Sequence, residues 1–219
     1  MNIQARKQAL RQSIIAAREK VPAVERLRLS QAIVKTICAL PEYRRAQTVL
    51  GYLNFGAELA AELWVQQALA DGKRVLLPRV NRASKHLDIY KVSDLQKDVA
   101  PGACGIREPV AERCIKEKAP GTVDFILLPG VAFTREGARL GYGGGFYDKL
   151  LMKILAIRPG EQTALAKPLV MARMPHRPAL VAGAFALQVV QEIPQEITDR
   201  NVEWLVTEDE TIRCNFGRE

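Results

Sequence analysis

The sequence predicts a three-layer α/β fold in which a mainly parallel sheet is covered by helices. Three observations lead there. Apolar runs of strand length alternate with amphipathic stretches of helix length. A strand, helix, strand spacing between residues 48 and 78 suits a βαβ crossover. A cluster of glycines follows the most apolar of the strands and opens a helix. At 219 residues the chain can bury one proper core. No internal repeat or second core is visible, so residues 1–219 read as a single domain.

Residues 3–20 form an amphipathic pattern with Leu10, Ile14 and Ile15 on one side, ended near Pro22. Lys7 and Arg11 are four apart and project from one face, which on spacing alone reads as a solvated basic surface. A second helix is expected over 24–40, ahead of Pro41. Residues 48–53 read as a buried strand, followed by a turn through Asn54 and Gly56. A helix over 58–70 is closed by Asp71-Gly72, which places Glu58 in its first turn, where the helix dipole favours a carboxylate. Strands follow at 74–78 and 87–92.

The stretch 97–120 is punctuated by Pro101-Gly102 and by Gly105-Ile-Arg-Glu-Pro109, and reads as loop. Residues 123–129 are the clearest buried strand, and 146–157 the helix behind the glycines. Four prolines (Pro159, Pro168, Pro175, Pro178) make 158–178 an inserted surface segment. Strands at 180–187 and 202–207 complete the pattern.

The net charge of +8, from 32 Lys and Arg against 24 Asp and Glu, favours an anionic partner: a nucleotide, a phosphorylated or polyglutamated metabolite, nucleic acid or a membrane surface. Residues 1–45 carry much of it, with 10 Lys and Arg against 3 Asp and Glu. Cys38, Cys104, Cys114 and Cys214 form no CxxC pair and show no metal-type spacing, as expected of free thiols in a reducing compartment. No apolar run reaches the roughly 18 residues of a membrane span. The expectation is a soluble, cytoplasmic protein.

Four of the 15 glycines fall between Gly141 and Gly145. Ordering glycine costs more entropy than ordering any other residue, so such a cluster needs a compensating role, most simply backbone amides brought close to a ligand. It is not a Walker loop, because Lys149 is neither preceded by glycine nor followed by Ser or Thr. Nor is it a dinucleotide fingerprint, since the sixth position from Gly141 is Phe146. What remains is a glycine loop at a helix N-terminus, suited to an anion. A plainer reading is a glycine-rich turn with Asp148 capping the helix. A helix dipole contributes only roughly 0.3–1 kcal/mol, so a polyphosphate needs further cations. Lys7, Arg11, Arg139 and Lys149 are available, and Asp148 can hold Mg²⁺.

The stretch Arg139-Leu-Gly-Tyr-Gly-Gly-Gly-Phe-Tyr-Asp148, preceded by Asp124-Phe-Ile-Leu-Leu-Pro-Gly-Val-Ala-Phe133, resembles the 5-formyltetrahydrofolate cyclo-ligase family, also called 5,10-methenyltetrahydrofolate synthetases. Tyr52-Leu53 with Glu58, residues 72–78, 105–109, and Gln188, Pro194, Asp199 and Val206-Thr207-Glu208 match as well. The resemblance implies a Rossmann-like architecture of the NagB/RpiA/CoA-transferase type. It also implies an ATP- and Mg²⁺-dependent closure of 5-formyltetrahydrofolate to 5,10-methenyltetrahydrofolate through a phosphorylated formyl intermediate, with release of ADP and phosphate. That chemistry needs positioning and charge stabilisation rather than a protein nucleophile, and no Ser/His/Asp or Cys/His arrangement is present.

By the same resemblance, Lys7 and Arg11 contact the ATP phosphates, against the solvated reading of their spacing. Arg139, Leu140, Gly141, Tyr142, Gly143, Gly144, Gly145, Phe146 and Tyr147 form the nucleotide loop. Leu53, Glu58 and the stretch Tyr142 to Phe146 face the folate. Arg139, Tyr147 and Asp148 are the catalytic positions, and Asp148 and Asp199 hold the metal. A monomer with no nucleic-acid or membrane partner is implied. The alternatives are an ATP-binding paralogue acting on another small molecule and, from a different class, a basic nucleic-acid-binding module.

Three departures from the family pattern stand out. Tyr142-Gly143-Gly144-Gly145 replaces the Arg-Gly-Lys-Gly of many relatives. Ala60-Ala61 replaces the Asp-Thr that often follows the pocket glutamate. The segment from Lys149 to Gly183 is longer than usual and holds 6 Lys and Arg, Lys149 included, against 1 acid, so it is expected to border the site and meet a polyglutamate tail.

Overall fold

The computed structural model describes residues 2–102, 105–156, 177–196 and 199–214. The helices are α1 (Ile3–Glu19), α2 (Ala23–Ala39), α3 (Pro41–Arg45), α4 (Ala61–Ala70) and α5 (Phe146–Ala156). The strands of the first half are β1 (Thr48–Leu50), β2 (Arg74–Asn81), β3 (His86–Val92), β4 (Val99–Pro101), β5 (Arg107–Pro109) and β6 (Ile115–Lys116). Those of the second half are β7 (Phe125–Leu127), β8 (Ala132–Phe133), β9 (Arg139–Leu140), β10 (Ala179–Gly183), β11 (Trp204–Val206) and β12 (Thr211–Arg213).

An eight-stranded sheet in the order β12-β11-β10-β7-β1-β2-β3-β6 forms the middle layer. Its five central strands, from β11 to β2, run parallel, and antiparallel strands close both edges. The expected α/β architecture is therefore present, with β1-α4-β2 as the crossover.

Strand β7 shows why the central strands read as unbroken apolar runs. Phe125 and Leu127 join a cluster with Ile33 and Ile37 of α2 and Trp64 and Val65 of α4. Ile126 and Leu128 join another with Leu150, Leu151 and Ile154 of α5. Alternate side chains point to opposite faces, and both faces are covered, so no position tolerates a polar residue. Tyr43, Trp64 and Phe125 pack ring on ring with centroids 5.7–5.9 Å apart, anchoring α3 and α4 to the sheet. The Asp124 carboxylate accepts from Gln47 N (2.8 Å) and Thr48 N (2.9 Å), fixing the start of β7 beside β1.

Helix α1 begins where the Asn2 side chain accepts from Ala5 N at 2.8 Å. Its apolar stripe, Leu10, Ile14 and Ile15, packs as expected, on a small third cluster with Val131, Ala132, Leu140 and Ile193. Helix α2 stops before Pro41, which instead opens α3 as its first residue.

Several boundaries differ from the sequence reading. Strand β1 ends at Leu50, with one further bond from Gly51 N to Leu76 O at 3.0 Å. Helix α4 starts only at Ala61, so Glu58 precedes it and does not lie in its first turn. The stretch read as loop over 97–120 contains the β4–β5 hairpin and edge strand β6. A second hairpin, β8–β9, carries the chain into the glycines, so Arg139 and Leu140 sit in a strand. Strands β10 and β11 are shorter than expected, and β12 adds an antiparallel edge. Such short strands lack the length that periodicity needs.

Cys104 and the insertion at 158–178, apart from its last two residues, lie outside the described residues. Cys38, Cys114 and Cys214 are free thiols. Burial pushes Cys38 and Cys214 up to about 11, which keeps both thiols protonated at neutral pH.

The contact between α2 and the sheet leaves no room at Gly183. A Cβ there would stand 2.7 Å from Leu59 Cδ2 and 3.0 Å from both Ile33 Cγ2 and Ile37 Cδ1. Gly183→Val is expected to destabilise the fold by about 1–3 kcal/mol through overpacking. A lowered urea midpoint at unchanged slope would show it; an unchanged midpoint would mean that α2 yields without strain.

Candidate functional site

Chain direction reverses about β1. Helix α4 takes the chain to β2 on one side, while β7 pairs with β1 on the other. The loops leaving β1 and β7 diverge at this switch point, and a cleft of about 770 Å³ opens beyond the carboxyl ends of the strands. Lys7, Arg11, Leu53, Glu58, the whole run from Arg139 through Leu140, Gly141, Tyr142, Gly143, Gly144, Gly145, Phe146 and Tyr147 to Asp148, and Asp199 all line it. Residues up to 192 positions apart in sequence thus share one cavity.

The glycine loop joins β9 to the N-terminus of α5. Gly143 (φ 103) and Gly145 (φ 63) occupy the left-handed region, which side chains rarely enter. The chain therefore enters the first turn of α5 through two backbone conformations that favour glycine. Arg11 reaches over the loop from α1: its Nε donates to Gly141 O at 2.8 Å. A Cβ on Gly143 would lie 3.5 Å from its guanidinium carbon. The second planar edge of Arg11 is thereby held beside the loop.

Lys7 is not the solvated cation that its spacing suggested. It is 4 % exposed, and its ammonium donates to Asp199 Oδ2 at 2.7 Å and Glu196 Oε2 at 3.0 Å. Burial opposes the charged form, but the two carboxylates outweigh it and raise the Lys7 pKa, so the ammonium stays charged. Arg139, 5 % exposed, donates through Nη2 to Asp148 Oδ1 at 2.6 Å and through Nη1 to Pro129 O at 3.2 Å. The loop after β7, the strand before the glycines and the first turn of α5 are tied together by that one guanidinium.

Asp148 and Asp199 can be tested as metal ligands. The described hydrogen bonds to Asp148 fall on Oδ1, from Arg139 and from Arg200 N (3.3 Å). Those to Asp199 fall on Oδ2, from Lys7 and Glu196 N (2.8 Å). Each carboxylate keeps a second oxygen with acceptor capacity. Among the described residues no group of three or more His, Cys, Asp or Glu gathers. This donor set fits Mg²⁺, which binds through one or two carboxylates and completes its shell with phosphate oxygens and water.

The cleft lining also holds apolar side chains and a buried acid, Glu58. Phe55, Tyr142 and Met152, which are 49 %, 45 % and 45 % exposed, are among the residues that line the cleft. Glu58 accepts from Phe55 N at 2.7 Å, so the turn before α4 aims it, not a helix dipole. Burial raises its pKa, against hydrogen bonds from Tyr142 and Phe55 N and the charge of Arg18. Burial and the nearby Glu58 in turn raise Tyr52, Tyr142 and Tyr147.

Sequence reading missed Arg18, Tyr52 and Glu196. Arg18 had a signal: Lys7, Arg11 and Arg18 follow the three-and-four spacing of one helical face. Glu196 had none, because its role depends on a loop that no periodicity places.

Four tyrosines, these three and Tyr43, hold raised pKa values, so the folded chain favours their protonated forms. Their stabilising contribution is complete below about pH 10 and lost as pH rises further. Tyrosinate absorbance at 295 nm should therefore appear together with unfolding. A gradual four-residue ionisation near pH 10 in the folded protein would contradict these environments.

Residues 3–208 match the 5-formyltetrahydrofolate cyclo-ligase family. The chain is 26% identical over 213 residues to a 5-formyltetrahydrofolate cyclo-ligase of Mus musculus, covering 95% of this chain and 97% of that one. To the corresponding protein of Haemophilus influenzae it is 30% identical over 152 residues, covering 69% and 80%. Similarity in structure extends as far. The NMR structure of Aquifex aeolicus 5,10-methenyltetrahydrofolate synthetase aligns with a TM-score of 0.74 at 30% identity, covering 97% of this chain and 95% of that one. A structure from Mycoplasma pneumoniae at 18% identity shares the fold, with a TM-score of 0.65. The match spans almost the whole chain and includes the glycine loop, and the chain belongs to the 5-formyltetrahydrofolate cyclo-ligase family.

Proposed function

We propose that this protein closes 5-formyltetrahydrofolate to 5,10-methenyltetrahydrofolate at the expense of ATP. The observation that carries the reading is the cleft itself, which gathers the start of α5 behind its glycines, the α1 cations Lys7 and Arg11, and the buried acid Glu58 with aromatic groups. A polyphosphate and a flat heterocycle can meet there with their reacting atoms side by side.

In the reaction the formyl oxygen attacks the γ-phosphorus, the bond to the β-phosphate oxygen breaks, and ADP leaves. Folate N10 then adds to the formyl carbon and loses its proton. Departure of the phosphorylated oxygen as phosphate leaves the methenyl bridge. No protein nucleophile takes part, so the protein's contribution is orientation and charge stabilisation. Lys7, Arg11, Arg139 and the α5 amides face the phosphates. Leu53 and the stretch Tyr142 to Phe146 hold the folate against them, and Glu58 accepts hydrogen bonds from the pterin donors. Tyr147, kept un-ionised by burial, offers an O–H donor beside the loop. Mg²⁺ held by Asp148 and Asp199 would neutralise charge on the transferring phosphoryl group. Arg139 keeps the Asp148 carboxylate in place for it.

The reading extends to a cytoplasmic monomer that takes polyglutamated as well as monoglutamated folate and has no nucleic-acid or membrane partner. Several cations of the basic N-terminal segment are engaged within the molecule, including Arg6 with Glu192, Lys7 with Asp199, Arg18 with Tyr142 and Arg28 with Glu25. That argues against a phosphate-tracking stripe. Among the described residues no helix is long and apolar enough to cross a membrane.

The test is direct. Purified protein with 5-formyltetrahydrofolate, ATP and Mg²⁺ should develop methenyl absorbance, and no product from folded protein would sink the assignment. Asp148→Asn should lower kcat about 100-fold, the scale of losing one preorganised charge contact. An Asp148→Asn enzyme with near-normal turnover would remove Asp148 from the machinery.

A further inference from the structure

A second cavity, of about 540 Å³, adjoins the cleft. It lies between the β2–β3 turn and the β4–β5 hairpin, and Val80 and Glu108 line both spaces. Two hydrogen bonds tie β5 to β2 at this boundary. Arg79 Nη1 donates to Pro109 O at 2.6 Å, and Glu108 Oε1 accepts from Val80 N at 3.3 Å. Gly102 packs directly on the same carboxylate, since a Cβ there would stand 2.4 Å from Glu108 Oε2. The boundary is thus built from fixed groups, with Glu108 only 7 % exposed.

The charged side chains of the cavity are Arg79, Arg82, Asp88 and Glu108. Asp88 is already engaged, by Lys116 Nζ at 2.8 Å and Asn81 Nδ2 at 3.0 Å. Among the described residues neither arginine forms an ion pair, and Arg79 keeps Nε and Nη2 without a hydrogen bond. Arg82 follows Asn81, whose Oδ1 accepts from Ala83 N and Ser84 N at 3.1 Å each and so shapes the turn that carries the arginine. On the cleft side Arg107 is taken up by Glu62 at 2.8 Å and Leu95 O at 2.6 Å. With Asp88 neutralised by Lys116, the two arginines outnumber the one remaining carboxylate, and the cavity favours an anion.

Glu108 narrows the choice of anion. A guanidinium fork suits carboxylate and phosphate alike. Glu108 Oε2 accepts no hydrogen bond from the described residues and suits an N–H donor. A chain that alternates carboxylates with amide N–H groups satisfies both kinds of partner. Free phosphate satisfies the arginines but sets its charge against Glu108.

We propose that this cavity is a subsite for γ-linked glutamyl residues on the folate: Arg79 and Arg82 bind their carboxylates, and Glu108 accepts from an amide N–H. The inference rests on the cyclo-ligase reading for the identity of the ligand, with its ring in the cleft and its arm crossing Val80. It deepens that reading by giving the arm a place on the β2–β3 and β4–β5 hairpins rather than on the segment 158–178.

The test measures KM for monoglutamyl and triglutamyl 5-formyltetrahydrofolate in the wild type, in Arg82→Glu and in Arg79→Met combined with Arg82→Met. The readout is the ratio of the two KM values, from which a general loss of folded enzyme cancels. The wild type should favour the triglutamate about tenfold, the scale of two exposed charge contacts, and less so as salt rises. Arg82→Glu and the double variant should bring the ratio within about twofold of one, with the ATP KM changed less than about twofold. A wild-type ratio near one, or a ratio that neither variant moves, would overturn the subsite. In parallel, penta-γ-glutamate without the ring, titrated by calorimetry, should bind the wild type and lose at least about fivefold in affinity in Arg82→Glu. Inorganic phosphate binding equally tightly would overturn the glutamyl assignment. If penta-γ-glutamate binds in this Arg82-dependent way while the wild type fails to convert 5-formyltetrahydrofolate, the substrate reading falls and the subsite stands.

Discussion

Burial of the Lys7 ammonium is the interaction on which the cleft depends. An ammonium taken out of water is tolerated only with close counter-charges, and Asp199 and Glu196 supply them at 2.7 and 3.0 Å. Gln4 bonds to Glu196 and Arg6 to Glu192 alongside, so α1 is held against the loops that follow β10. Between them lies the β8–β9 hairpin, packed on Ile14 and Ile193. The hairpin is the stalk of the glycine loop. A lysine that spacing alone would place in solvent thus fixes the position of a loop more than 130 residues away.

The same economy runs through the rest of the site. Two of its buried cations are each paired with a carboxylate on the cleft wall: Lys7 with Asp199, and Arg139 with Asp148. Neither charge is stranded in a region of low dielectric, where an uncompensated ion would cost several kcal/mol. Under the proposed function, a metal–polyphosphate, which carries both signs, would exchange with both pairs at once, phosphate against cation and metal against carboxylate. Arg18 stands apart from this scheme, because its counterpart is a phenol, the Tyr142 hydroxyl.

Much of the architecture was legible because it rests on local chemistry. The apolar runs of β1, β2 and β7 could only be strands covered on both faces, and Asp71-Gly72 closed α4 as expected. The glycine loop was legible because its composition is costly without a ligand. What escaped were features set by contacts distant in sequence. Strands of two or three residues, such as β8, β9 and β12, have no period to read, and exist because a neighbour completes their ladders. Glu58 looked like a helix-start carboxylate until Ala61 proved to be the first helical residue. Lys7 looked solvated because the carboxylates that bury it lie at the other end of the chain. Ligand roles for these residues were implied by the family resemblance alone, because no local pattern contains them.

The separation of 192 residues between Lys7 and Asp199 also orders events in time. Closing so long a loop has a large entropic cost that local contacts do not share, and the crossover β1-α4-β2 can pair well before it. During synthesis, α1 emerges first and stays without its counter-charges until the chain has passed residue 199. A nascent chain short of that point can hold a folded sheet while its first helix remains undocked. The cleft is then the last feature that the polypeptide completes, closed when Lys7 meets Asp199.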